Sequence, residues 1–246
     1  MDKTLSSGSP AALTWRALLS LAFCGLLRGA EVAVQEGDRF SAVRHLTRAD
    51  LDFAVGEDGR QLAIVTMRVA KRVGAVKETK VVIGGGGTIV DAVAELRRLY
   101  EFWEADDIPR EEWKDTPMFK LDGDAVGVRQ VRGMVKYLMT EIGENPAHFG
   151  AHSMRIGGAS AAYAAGIEPS AIRIAGRWSS DIYEIYVRLS ARGAARLGAT
   201  IGSTSFEDLE RGTFASEELE LLPTEMMKGF SVEKELIAET RADNES

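Results

Sequence analysis

The sequence predicts a mixed α/β fold that is mostly helical and carries one small antiparallel three-stranded sheet. Two observations lead there. Apolar residues recur at helical spacing in the first thirty residues and again through most of the chain after residue 90, whereas the period shortens to that of strands between about Arg44 and Ile83. At 246 residues, 45% hydrophobic and 27% charged, the chain is long enough to bury a full core and has an ordinary globular composition.

The elements follow in order. MDKTLSSGSP, residues 1–10, is a polar lead-in without periodicity, and Leu13 to Arg28 then reads as a helix through Trp15, Leu18, Leu19, Ala22 and Leu26. The apolar run Ala17 to Leu27 is too short to span a membrane, and a buried helix is expected rather than a secretory leader. HLTRADLDF, QLAIVTMRVAK and ETKVVIGG are β-branched runs separated by GEDGR and by the Val73–Lys77 turn region, which predicts three strands. Asp91 to Trp103, Gly127 to Ile142, Ser153 to Ala165, Ser170 to Ala175 and Asp181 to Leu189 return to helical spacing, the third of these rich in small residues suited to close packing. Trp103 and Trp113 are expected to pack a helix against its loop.

Charge is unevenly distributed. The net charge is −7, yet residues 201–246 hold 4 Lys/Arg against 12 Asp/Glu, so residues 1–200 are close to neutral. The domain plan is therefore a lead-in over 1–10, a folded domain over 11–200 and an acidic, flexible tail over 201–246. Cys24 stands alone, which excludes an intramolecular disulfide framework and a cysteine zinc site and fits a reducing compartment. Gly84 to Gly87 lacks the Gly-Lys-Ser/Thr ending of a nucleotide loop and reads as a turn; His45 and His148 have no metal-ligand spacing.

The chemistry-bearing residues concentrate in His152 to Arg188. His152 and Arg155 lie three apart at a helix start, where backbone N–H groups and an arginine fork both suit phosphate oxygens. Taken alone, a histidine and an arginine three apart are also a common accident, with His152 a satisfied core histidine. In context, HSMRIGGASAAYAAGI followed by IRIAGRWSSDIYEIYVR resembles the second conserved box of the tyrosine recombinases, the phage-integrase family. Upstream, LAFCGLLRGAEV resembles the first box, and the GRWSSD form resembles versions in eukaryotic mobile elements of the DIRS and Crypton type. The resemblance spans about residues 11–190.

This resemblance implies the recombinase catalytic-domain fold and cleavage and rejoining of DNA through a 3′-phosphotyrosyl intermediate. Arg28 and Arg155 would hold the non-bridging oxygens of the scissile phosphate, and Lys71 would protonate the leaving 5′ oxygen, with Lys77 and Lys80 on the same hairpin as alternatives. His152 would assist as an acid/base or hydrogen-bond donor. Trp178 would donate its indole N–H where many members have histidine, and Glu31 would orient its partners. Tyr186 would be the nucleophile, with Tyr183 as the competing choice, and Arg173 and Arg177 would add to a basic DNA-facing surface. No cofactor or metal is implied, because the covalent link conserves the phosphodiester energy. The implied partners are DNA and a separate core-binding domain or other protomers, with no membrane; localisation would be nuclear if eukaryotic and otherwise cytoplasmic, not secreted. A type IB topoisomerase-like enzyme, and a decayed mobile-element remnant acting only as a DNA-binding or interaction domain, are the alternatives.

Overall fold

The structure is a computed structural model that describes residues 8–70, 76–87 and 89–178. Helix α1 spans Pro10–Cys24 and is started by Ser9, whose Oγ accepts from the Ala12 N–H, with Pro10 at the first helical position where no N–H is needed. It ends four residues before the expected Arg28, because Gly25 to Leu27 form a Schellman turn: Leu27 N–H donates to Ala22 O at 2.9 Å and Leu26 N–H to Phe23 O at 3.3 Å. A short helix α2, Gly29–Val32, follows and was not foreseen.

Strands β1 (Leu51–Val55), β2 (Gln61–Ala70) and β3 (Val76–Gly84) form an antiparallel sheet in that order, with Leu51 opposite Val65 and Ala70 opposite Val76. The first strand is shorter than its sequence run. Thr47 to Asp50 instead make a tight turn in which the Asp50 carboxylate accepts from both the backbone N–H and the hydroxyl of Thr47 and takes a two-pronged ion pair from Arg68, each bond 2.6 Å. Alternation along β2 puts Ala63, Val65 and Met67 into the core, and Val81 and Ile83 of β3 do the same.

Helix α3, Ala92–Glu104, is capped by Asp91 and packs Val93, Leu96, Leu99 and Trp103 against α1 and the sheet. Trp103 and Trp113 are 3% and 4% exposed and meet edge to face, so they pack as expected; Arg48 is buried over the Trp103 ring and paired with Asp106 at 2.6 Å. After a two-residue β4–β5 pair (Lys120–Leu121, Asp124–Ala125) come α4 (Val128–Glu141), α5 (Ser153–Ala164) and α6 (Pro169–Ala175). The small residues of α5 work as expected: a Cβ at Gly158 would sit 2.1 Å from the Phe23 carbonyl oxygen, so the backbones of α1 and α5 meet closely there. Beside that crossing, Leu26, Ala159, Ile172 and Trp178 form a second small core. The expected helix Asp181 to Leu189 and the acidic 201–246 segment lie outside the described residues.

Candidate active site

Two helix ends build the site. At the end of α6, Arg177 N–H donates to Ile174 O at 3.0 Å and Trp178 N–H to Arg173 O at 3.1 Å, the same Schellman pattern that ends α1. In both turns the left-handed position carries a side chain where glycine is the unstrained choice: Leu26 has φ 51° and Arg177 has φ 58°. Helices α4 and α5 end the same way with Gly143 and Gly166 at that position. The exceptions at Leu26 and Arg177 cost about 1 kcal/mol or more each. Each side chain returns that cost in contacts: Leu26 packs in the second core, and Arg177 enters the ion-pair cluster described next.

Arg155, in the first turn of α5, bolts the two turns together. It is 0% exposed; its two terminal nitrogens donate at 2.6 Å to the carbonyls of Leu26 and Gly176, and its guanidinium lies 4.0 Å over the Trp178 ring. Both carbonyls belong to helix C-terminal turns, the negative end of the helix dipole, so the location suits a buried cation. Trp178 is 8% exposed and forms the floor of this arrangement.

Glu31 is the hub. Its Oε2 accepts from the Arg28 backbone N–H at 2.6 Å and lies 3.4 Å from Arg177 and 3.8 Å from Arg155, while Oε1 is 3.3 Å from the Arg28 side chain. Three guanidinium groups thus share one carboxylate. Of the three, Arg28 is the open one, its side chain 49% exposed against 18% for Arg177 and 0% for Arg155. Burial pulls the Arg177 guanidinium below its usual value, and Glu31 opposes that pull.

His152 is the N-cap residue of α5 and comes close to the Arg28 turn because Gly29 lacks a side chain: a Cβ there would fall 2.7 Å from the Cβ of Ala151. Its imidazole is held below the ordinary histidine value, first by burial and then by the charges of Arg155 and Arg28, with Glu31 opposing. That shift favours the neutral imidazole, in which one ring nitrogen can donate and the other accept.

The structure thus brings together Arg28, Glu31, His152, Arg155 and Trp178 from segments more than a hundred residues apart. Arg173 is exposed on α6, and Arg177, expected on the same outer surface, instead turns its side chain inward to Glu31 and the Gly25 and Leu26 carbonyls. Gly29 and the inward role of Arg177 escaped the sequence reading. The dipeptides Gly25-Leu26 and Gly176-Arg177, each closing a helix, were the available signal. Lys71, Tyr183 and Tyr186 lie outside the described residues; Lys77 lies on β3 and Lys80 further along it.

No family model matches the chain, and no curated protein sequence does. Solved structures do match in fold. XerA recombinase aligns with 84% of this chain and 67% of its own length at 16% identity and a TM-score of 0.53. The XerH site-specific recombinase, in a post-cleavage complex with its palindromic difH substrate, aligns with 79% of this chain at 14% identity and a TM-score of 0.50. This chain spans about half of that XerH chain, 47%. The fold is that of tyrosine recombinase catalytic domains.

Proposed function

We propose that this chain is the catalytic domain of a tyrosine recombinase that cleaves and rejoins DNA strands. The observation that carries the reading is the convergence of Arg28, Arg155 and Arg177 on the single carboxylate of Glu31, beside His152, whose imidazole is held below its usual value by burial and the nearby arginines. Three guanidinium groups gathered around one carboxylate make a partly desolvated, positively charged place, and a phosphodiester is an anion that suits it. Arg28, half exposed, is the group that meets the phosphate first. Arg155 stabilises the charge that develops on it from below, holding the turn that carries Arg28.

In the reaction the phenol of Tyr186 passes its proton to the His152 imidazole as its oxygen attacks phosphorus, a 3′-phosphotyrosyl bond forms, and the bond to the 5′ oxygen breaks as that oxygen gains a proton from Lys71; rejoining reverses both transfers. The freed 5′ hydroxyl of a second strand then attacks the phosphotyrosine and releases the phenol. His152 donates or accepts a hydrogen bond at the phosphate, and the Trp178 indole stands where a second proton carrier would otherwise be. The GRWSSD sequence favours the DIRS or Crypton type, with DNA and a core-binding domain or further protomers as partners and a nuclear location if the source is eukaryotic.

A nicked suicide substrate tests this, because loss of the short 5′ fragment traps the covalent intermediate. A denaturant-resistant adduct is expected, lost in Tyr186→Phe and kept in Tyr183→Phe. An adduct that follows Tyr183 moves the nucleophile within the same mechanism. Duplex binding without any adduct, even with a core-binding domain supplied, points to a decayed remnant that only binds.

A further inference from the structure

Arg177 occupies a position whose backbone disfavours it, and its side chain explains why it is there. Its φ of 58° is the left-handed conformation that glycine adopts without strain, as Gly143 and Gly166 do at the ends of α4 and α5. From that position the guanidinium reaches back across the fold: one terminal nitrogen donates to Ala175 O at 2.9 Å and Gly25 O at 3.4 Å, the other to Leu26 O at 3.4 Å and Glu31 Oε2 at 3.4 Å. The contacts with Gly25, Leu26 and Glu31 lie about 150 residues away in sequence, on the turn that carries Arg28. Its Nε is buried without a hydrogen-bond partner, a further cost that only the terminal contacts offset.

The consequence falls on Arg28. Arg28 and Glu31 are three apart across a helix start, a spacing at which a guanidinium readily folds onto its own carboxylate. In the structure that closure is incomplete, since Arg28 reaches only Oε1, at 3.3 Å, while Oε2 is shared by Arg177 and the Arg28 backbone N–H. We propose that Arg177 is a positioning residue: by occupying Glu31 Oε2 it keeps the Arg28 fork from closing on that carboxylate and leaves it turned outward to a DNA phosphate. This deepens the recombinase reading and rests on it only for the identity of the anion. Arg177 acts through Glu31 and the Arg28 turn rather than by touching DNA.

A double-mutant cycle separates positioning from simple charge. The variants are Arg177→Gly, Arg177→Lys, Glu31→Gln and Arg177→Gly/Glu31→Gln in the full chain, read by affinity for a short DNA duplex at fixed salt and by adduct yield on the suicide substrate. Glycine relieves the φ strain, so Arg177→Gly is expected to fold with little change in melting temperature. It should weaken duplex binding about tenfold, and Arg177→Lys should recover less than half of that loss, because an ammonium keeps the charge but lacks the planar fork. Adding Glu31→Gln to Arg177→Gly should restore most of the affinity, since an amide does not capture Arg28; that non-additivity is the signature of action through Glu31. Additive effects, or full rescue by lysine, overturn the positioning role and leave Arg177 as one more positive charge in the cluster. The duplex-binding cycle reads out whether or not an adduct forms, so failure of the recombinase chemistry shows in the adduct alone.

Discussion

Arg155 is the residue that ties the ends of α1 and α6 together. Its two bonds at 2.6 Å to Leu26 O and Gly176 O are charge-assisted and wholly buried, so removing the side chain takes from the Gly176 carbonyl its guanidinium partner, leaves Leu26 O only the longer bond from Arg177, and opens a void above Trp178. Arg155→Ala is expected to lower stability by roughly 3–5 kcal/mol, checked by urea unfolding, with Arg155→Lys recovering only part because one ammonium does not span both carbonyls. A loss below about 1 kcal/mol would show that the guanidinium is not the bolt between the helix ends. His152 gives a pH signature. Its folded value lies below the ordinary 6.5, so the unfolded chain takes up the proton first and stability is full above that pH and lost as pH falls through the lowered value. The imidazole resonance should titrate below 6.5, and His152→Gln should remove part of the acid-side loss. His45, lowered by burial and by Arg44, accounts for another part in the same direction.

At the scale of elements, close approach decides which substitutions the fold accepts. A methyl at Gly158 meets the Phe23 carbonyl at 2.1 Å and Leu26 at 2.7 Å, neither able to yield without moving α1 against α5. Gly158→Ala should cost roughly 1–3 kcal/mol, while Gly133→Ala on exposed α4, with nothing within 4 Å, should gain up to about 1 kcal/mol from helix propensity. Paired melting curves check both, and a destabilising Gly133→Ala would mean that this face of α4 is not free. Periodicity found α1, the sheet, α3, α4, α5 and α6 because each has one face against the core, as Leu96, Leu99 and Trp103 have on α3. It missed α2 and the β4–β5 pair, which are too short to carry a period. It ran α1 on to Arg28 because Leu26 keeps the apolar spacing while its backbone turns left-handed. Arg28, Glu31, His152, Arg155 and Trp178 were legible as motif residues. The inward turn of Arg177 was not, since nothing in the order of residues says which way a guanidinium points once its helix has ended.

For the whole molecule the proposed function raises the question of how a chain of net charge −7 would meet a polyanion. Besides Arg28 and the exposed Arg173, Arg129, Arg132 and Lys136 fall at spacings of three and four, one face of α4, and the Arg132 side chain lies near Gly150, two residues from His152. A duplex that reaches Arg28 is expected to run along this face, each phosphate contact releasing counterions. The logarithm of affinity should then fall linearly with that of salt, and Arg129→Ala/Arg132→Ala/Lys136→Ala should lower the slope by up to about 0.9 per lost contact. Against this stands residues 201–246, with 12 acidic and 4 basic side chains. If that charge competes with DNA for the basic face, Glu217→Gln/Glu218→Gln/Glu220→Gln should tighten duplex binding at low salt and leave it unchanged at high salt, where both attractions are screened. An equal effect at every salt concentration would mean that these carboxylates act through structure rather than through the field they make.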